Sequence, residues 1–226
     1  MSRAFFITGT DTAVGKTVVA AALLQNANAA GLATLGLKPV AAGGIVRDGE
    51  MTNDDAWALM QLSSLHPDYA IVNPVALEAA IAPHIAAETE GVELDATALA
   101  KHCREQAAAS EFCVIEGAGG WCVPLNAAET MADLAVAIGF PVIIVVGVRL
   151  GCINHSLLTA AAIRASGLEV AGWVANELAA AMPAVDANIA TLEARLGAPL
   201  LGRIPWLNEP SASAAAAYLS LDQLEP

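Results

Sequence analysis

Residues 9–17 read GTDTAVGKT and follow an apolar run at 4–8. Glycines bracket a polar turn that closes on Lys16 and Thr17. A turn of this kind aims successive backbone N–H groups at an anion. The helix behind it adds about half a positive charge at its first turn, and the lysine adds a full one. A threonine at the loop's end brings a hydroxyl to a magnesium ion lying between two phosphates. The spacing is one residue longer than the standard G-x-x-x-x-G-K-[ST] pattern, so the loop is a variant, supported by the strand before it and the helix after it. A second cation, Lys38, ends the apolar run 34–38, and Pro39 holds its backbone extended. The chain has three lysines, and Lys101 alone falls on a helical face. Lys16 and Lys38, at the ends of strands one and two taken as neighbours, are expected to meet above one sheet edge around an anionic small molecule.

The run 112–116, FCVIE, terminates in an acid, and GAGG follows at 117–120. An acid at the end of a buried strand is where nucleotide-binding folds reach magnesium, and the glycines of Gly117 to Gly120 let the backbone approach a ligand closely. Asp54 and Asp55 open a helical stretch after Asn53. A cap with an acidic first turn and a metal-directed acid fit that spacing equally. No nucleophile triad assembles, and His66, His84, His102 and His155 lack ligand spacing with one another or with cysteine. Trp57, Trp121, Trp173 and Trp206 read as core residues, with Trp121 and Trp206 also beside ligand segments. Residues 147–154, GVRLGCIN, form either a plain connection or another ligand wall, with Asn154 as the N-cap of the next helix.

These side chains need a scaffold, and the chain repeats one grammar of short apolar run, glycine-containing loop and helical stretch. The runs lie at 4–8, 34–38, 112–116, 141–146, 170–175 and 200–204. Helical patterns lie at 18–30, 54–62, 95–109, 131–138, 154–166 and 184–196, with a short alanine-rich helix at 212–217. Continuous rather than alternating apolar strands imply burial on both sheet faces. The expected fold is α/β, a doubly wound, mostly parallel sheet with P-loop NTPase-like architecture, forming one domain over residues 1–226.

Composition narrows the partners. A net charge of −13 repels nucleic acid and anionic membranes, and no basic patch overrides it. The longest apolar runs, such as 142–146, are too short to span a bilayer, and Met1, Ser2 and Arg3 lead directly into a strand rather than a signal segment. Cys103, Cys113, Cys122 and Cys152 show no paired spacing, which fits free thiols in a reducing cytoplasm.

The segments GTDTAVGKT, LKPVA at 37–41, VIEGAGGW at 114–121, VVGVRLGCINH at 145–155, GWVAN at 172–176 and IPWL at 204–207 together resemble dethiobiotin synthetase, in order and over nearly the whole chain. The resemblance implies an ATP- and Mg2+-dependent cyclo-ligase of biotin biosynthesis, cytoplasmic and homodimeric. It would convert 7,8-diaminononanoate and CO2 or bicarbonate to dethiobiotin, ADP and phosphate through a carbamate and a carbamic-phosphoric anhydride. It implies Thr17, Asp55 and Glu116 as metal ligands, Ala13, Val14, Gly15, Lys16, Thr17 and Val18 around phosphate, and Gly117, Ala118 and Gly119 along the nucleotide. Asn176, Glu177, Pro205, Trp206 and Leu207 would meet the adenine. Lys38, Lys16 and Thr12 would be catalytic. Thr12, Lys38, Ala42 and Gly119 would contact substrate, and Leu150, Gly151, Cys152 and Asn154 would reach the diamine's carboxylate tail from the partner subunit. A partitioning or positioning ATPase that switches on a protein partner is the alternative. It normally carries a second loop lysine, which 9–14 lacks, and a basic tail, where 220–225 is acidic.

The chain departs from the family pattern at Ala13, where relatives often carry an acid, and at Ala42, where they carry serine. Loss of one hydroxyl contact at position 42 weakens substrate binding rather than chemistry. Ala42→Ser is therefore expected to lower the apparent diamine constant in steady-state assays, and an unchanged or higher value contradicts this.

Overall fold

The computed structural model describes residues 3–224, so Met1 and Ser2 at the start and Glu225 in the acidic tail lie outside it. The elements run β1 (Arg3–Gly9), α1 (Lys16–Ala29), β2 (Thr34–Leu37), β3 (Val40–Ala42), β4 (Ile45–Arg47), β5 (Glu50–Thr52), α2 (Asp54–Leu62), α3 (Tyr69–Val72), β6 (Val75–Leu77) and α4 (Pro83–Glu90). The second half continues α5 (Ala96–Ala107), β7 (Phe112–Gly120), α6 (Met131–Ile138), β8 (Val142–Val148), α7 (Cys152–Ala165), β9 (Val170–Glu177), α8 (Val185–Leu196), β10 (Leu200–Ile204) and α9 (Ala212–Ala216).

Six strands form a parallel sheet in the order β10-β9-β8-β1-β7-β2. Successive side chains of a strand point to opposite faces, which divides the core in two. Phe6, Ile115 and Ile144 enter one half with residues of α5, α6, α7 and α8. Phe5, Ile7, Val114 and Val145 enter the other with α1, α2 and α9. This is the doubly wound α/β fold expected from the continuous apolar runs.

The structure corrects the expectation in four places. β1 and β2 are not neighbours, because β7 pairs with both. Residues 117–120 do not leave the sheet after Glu116 but extend β7 to Gly120, with a register shift opposite Ile7 and Gly9. The start of α7 is Cys152, capped by Gly151, so Asn154 lies within the helix and is not its N-cap. Between β2 and α5 the regular grammar gives way to two small ribbons, β3 with β6 and β4 with β5, and to α3 and α4. Their strands are three residues long, too short to leave a periodic signal.

Both edges of the sheet are covered. Along β2, Ser64 Oγ accepts from Thr34 N and Ser63 Oγ accepts from Gly36 N, at 2.8 and 2.9 Å. Along β10, Ser220 N donates to Leu201 O at 3.0 Å and Leu219 bridges Gly202, which closes an edge open to pairing with another chain. A Cβ at Gly202 would run into the Tyr218 carbonyl oxygen. Gly202→Ala is expected to cost about 1–3 kcal/mol, as overpacking does, read as a lower denaturation midpoint in urea.

Candidate functional site

The loop after β1 is shaped by close backbone approach. A Cβ on Gly9 would lie 2.6 Å from Val14 Cγ2, and Gly15 has φ +90°, a conformation that a glycine adopts without strain. Gly15 also caps α1 without any side-chain hydrogen bond, which leaves the first N–H groups of the helix directed at the cleft. Two long-range contacts hold the loop. Asn176 Nδ2, from β9, donates to Val14 O at 2.9 Å, filling the space beside Gly15, and Arg149, after β8, pairs with Asp11.

Opposite the loop stands Glu116, 1% exposed and within β7. Its Oε1 accepts from Lys38 Nζ at 2.6 Å and from Thr17 Oγ1 at 2.9 Å. Lys38 Nζ also lies 3.2 Å from Asp55 Oδ2. A charge buried this deeply is stable only when paired, and Glu116 draws its pairing from the ends of β2 and the start of α1 on its two sides. Among the described residues Glu116 Oε2 has no hydrogen-bond partner although it is buried. Among the described residues no three His, Cys, Asp or Glu side chains gather as a metal centre. Two carboxylates and a hydroxyl suit magnesium better than an all-protein cage does, because that ion takes few protein oxygens and fills its shell with phosphate and water. The orphaned Oε2 is the acceptor such an ion would use.

The two lysines differ. Burial lowers the Lys16 pKa; Glu116 opposes that, and neighbouring Lys38 adds to it. Its Nζ donates to the Asp11 carbonyl at 3.3 Å. Burial also acts to lower the Lys38 pKa, but Glu116 and then Asp55 overcome it, and the ammonium ends above its ordinary value. Lys38 is a cation neutralised by two carboxylates, whereas burial outweighs the carboxylates around Lys16.

Asn53 resolves the ambiguity at 53–55: its side chain accepts from Asp55 N and Ala56 N and caps α2. Asp54 turns away to Arg47, and Asp55 turns toward Lys38. A cleft of about 720 Å3 opens over these groups. Thr12, Ala13, Gly15, Lys16, Thr17 and Val18 line one side. Lys38, Ala42, Asp55, Ala118 and Gly119 line the floor and the far side. Val14 is buried beneath the loop, Glu116 is buried behind Lys38 and Thr17, and Gly117 faces the Phe6 ring.

Other expected residues lie apart from this cleft. Glu177 accepts from Arg203 Nε at 2.5 Å. Pro205, Trp206 and Leu207 follow β10, with Trp206 44% exposed and its Nε1 donating to Asn208. Leu150, Gly151, Cys152 and Asn154 surround the start of α7, where Leu150 is 96% exposed and Cys152 is buried. Trp121 belongs to the core, edge-on to Phe6.

Sequence reasoning missed the wall formed by Ala80, Ile81, Ala82, Pro83 and Val123. These residues carry no functional group, so a search for reactive side chains passes over them. The one available signal was Pro83, favoured at the first position of a helix and occupying it in α4.

A variant phosphate loop at the first strand of a parallel doubly wound sheet, facing a buried acid, defines a P-loop nucleotide-binding α/β protein. Residues 3–214 match the family model described as AAA domain. The chain is 56% identical over 222 residues to ATP-dependent dethiobiotin synthetase BioD of Cellvibrio japonicus, covering 98% of this chain and 97% of that one. It is 52% identical to the protein so named in Pseudomonas paraeruginosa and 48% to that of Xanthomonas campestris, with coverage of at least 97% on both sides. The chain belongs to the ATP-dependent dethiobiotin synthetase family. Among solved structures, the septum site-determining protein MinD with Mg-ADP from Pyrococcus horikoshii matches 91% of this chain and 82% of its own at TM-score 0.54 and 18% identity. Chloroplast FtsY from Physcomitrella patens matches 100% and 66% at TM-score 0.52 and 18% identity. Both establish the fold.

Lys38 also contributes to stability through its buried pairing with Glu116 and Asp55. Removing one partner of a buried pair costs about 3–5 kcal/mol, so Lys38→Met is expected to lose stability on that scale at neutral pH. The folded pKa of Lys38 lies above its ordinary 10.5, so its contribution is fully present below that pH and is lost as pH rises through the folded value. Denaturation of both proteins from pH 7 upward should give a constant difference that narrows only above about pH 10.5.

Proposed function

We propose that the chain closes the ureido ring of dethiobiotin from 7,8-diaminononanoate and carbon dioxide at the expense of ATP, a step of biotin synthesis. The observation that carries this reading is the arrangement around Glu116, where an acid, two lysines and a threonine hydroxyl converge beside an apolar wall. The polar side suits a triphosphate, and Ala80, Ile81, Ala82, Pro83 and Val123 suit an aliphatic chain.

The chemistry needs positioning more than acid–base groups. One amine of the diamine adds to CO2 and loses a proton, giving a carbamate. A carbamate oxygen attacks the γ-phosphorus and ADP departs. The second amine then attacks the carbonyl carbon and gives up one proton, phosphate leaves with the C–O electron pair and can take that proton, and the ring closes. Lys38 stays charged across the neutral range, so it orients the carbamate and γ-phosphoryl oxygens as a cation rather than accepting a proton. Lys16 and the N–H groups at the start of α1 bind the phosphates. Thr17, Asp55 and Glu116 would hold Mg2+, which when bound neutralises phosphate charge. Thr12 and Gly119 face the diamine across the cleft, and the apolar wall excludes water from its chain.

Asn176, Glu177, Pro205, Trp206 and Leu207 form the adenine side in this reading. A second copy of the chain supplies Leu150, Gly151, Cys152 and Asn154 to the carboxylate tail, and the exposure of Leu150 at 96% and Leu158 at 62% supports such a covering partner. The four free cysteines, three of them buried, fit a reducing cytoplasm. Among the described residues no helix is long and apolar enough to cross a membrane.

ADP release from ATP is expected to require both the diamine and bicarbonate, and release that ignores either refutes the proposal. Lys38→Ala should lower kcat at least about a hundredfold, as loss of one preorganised transition-state contact does; equal activity removes Lys38 from the reaction.

A further inference from the structure

The excursion between β2 and α5 carries a chain of hydrogen bonds that begins and ends in the site. Lys38 is held by its backbone on both sides: its N–H donates to Val72 O at 2.8 Å, and its carbonyl accepts from Asn73 Nδ2 at 2.6 Å. Asn73 is 3% exposed, and its Oδ1 accepts from the Tyr69 hydroxyl at 2.7 Å. The same hydroxyl accepts from Asn53 N at 2.7 Å. Asn53, 6% exposed, caps α2 through Oδ1, accepting from Asp55 N at 3.0 Å, and its Nδ2 donates to Ala42 O at 3.2 Å. Asp55 then returns to Lys38 across 3.2 Å.

The bonds form a closed circuit of Lys38, Asn73, Tyr69, Asn53 and Asp55. We propose that Tyr69 is a positioning residue, whose hydroxyl joins the strand end bearing Lys38 to the helix cap bearing Asp55 and so sets the distance between this cation and this acid. The inference rests on the reading that Lys38 and Asp55 work in the cleft.

The hydroxyl uses both of its capacities at this joint. It donates to one asparagine and accepts from the backbone of another, a pairing that no other side chain of the segment duplicates. Its ring lies 6.1 Å from that of Trp57, over which Arg47 is stacked, so the phenol is fixed at both ends. A phenylalanine would keep the ring and its contacts while leaving Asn73 Oδ1 and Asn53 N without this partner. Lys38 and Asp55 would then be tethered independently, each free to drift by a fraction of an ångström, which is enough to blunt a preorganised site.

The test compares the wild type with Tyr69→Phe, and with Asn26→Ala as a stability control. Asn26 ties α1 to the chain around α9 by donating to Ala216 O and Leu219 O, on the sheet face away from the diamine wall. Tyr69→Phe is expected to lower kcat for ADP release about tenfold, the scale on which residues supporting first-contact groups act, while the KM for ATP stays within about twofold. Asn26→Ala should lose stability with kcat unchanged. If Tyr69 acts through Asp55 and Lys38, adding Tyr69→Phe to Asp55→Asn lowers kcat by no more than about threefold further.

A second readout needs no turnover. With three lysines in the chain, isotopic labelling of lysine side chains gives three resolvable NMR signals, and Lys38→Met identifies the one from Lys38. Tyr69→Phe should displace that signal and leave Lys101 in place. An unmoved Lys38 signal, wild-type kcat, or losses that multiply in the double variant each overturn the proposal. Should the wild type itself show no diamine-dependent ADP release, the proposed function falls and the Lys38 signal alone decides the role of Tyr69.

Discussion

A carboxyl group at 1% exposure beside apolar strands is costly to bury unless cations and hydrogen-bond donors come to it, and Glu116 imposes that requirement on everything around it. Its position inside β7 means that help arrives from both flanks. β1 delivers the phosphate loop and, through α1, the Thr17 hydroxyl. β2 delivers Lys38. A parallel sheet brings every strand end to the same rim, so the three groups converge although they are separated by up to 99 positions in the chain. Among the described residues, one oxygen of Glu116 has no hydrogen-bond partner.

The same cluster separates two lysines that look alike as residue types. Lys38 is held between two carboxylates, is stabilised by them and remains charged. Lys16 is buried at the loop after β1, and burial outweighs the opposing pull of Glu116, Asp55 and Asp11, so its pKa is held below the ordinary value. One lysine is thus neutralised by its neighbours, and the other carries a desolvation cost that its neighbours only partly offset. This division matches chemistry in which charge must be gathered and oriented rather than protons exchanged.

Around this polar centre the chain departs from its βα repetition. Residues 38–83 give the polar circuit through Tyr69 and, with Val123, the apolar wall of the cleft, and a plain strand–helix connection would have provided neither. Ala42 sits at the junction of both, lining the cleft with its side chain while its carbonyl accepts from Asn53.

Much of this was legible in the residues. Continuous apolar runs identified the strands of the main sheet, because burial on both faces leaves no alternation to confuse them. The phosphate loop, Lys38 and Glu116 announced themselves by local spacing, which backbone geometry within a few residues controls. The neighbour relations were not legible. Nothing in the sequence shows β7 lying between β1 and β2, Asn53 rather than Asp54 capping α2, or Ala80, Ile81, Ala82 and Pro83 forming a wall. Local composition determined which groups the chain carries and roughly where each strand ends. Only the tertiary structure decided which charge faces which, because desolvation and Coulomb energies depend on distances across strands paired far apart in the chain.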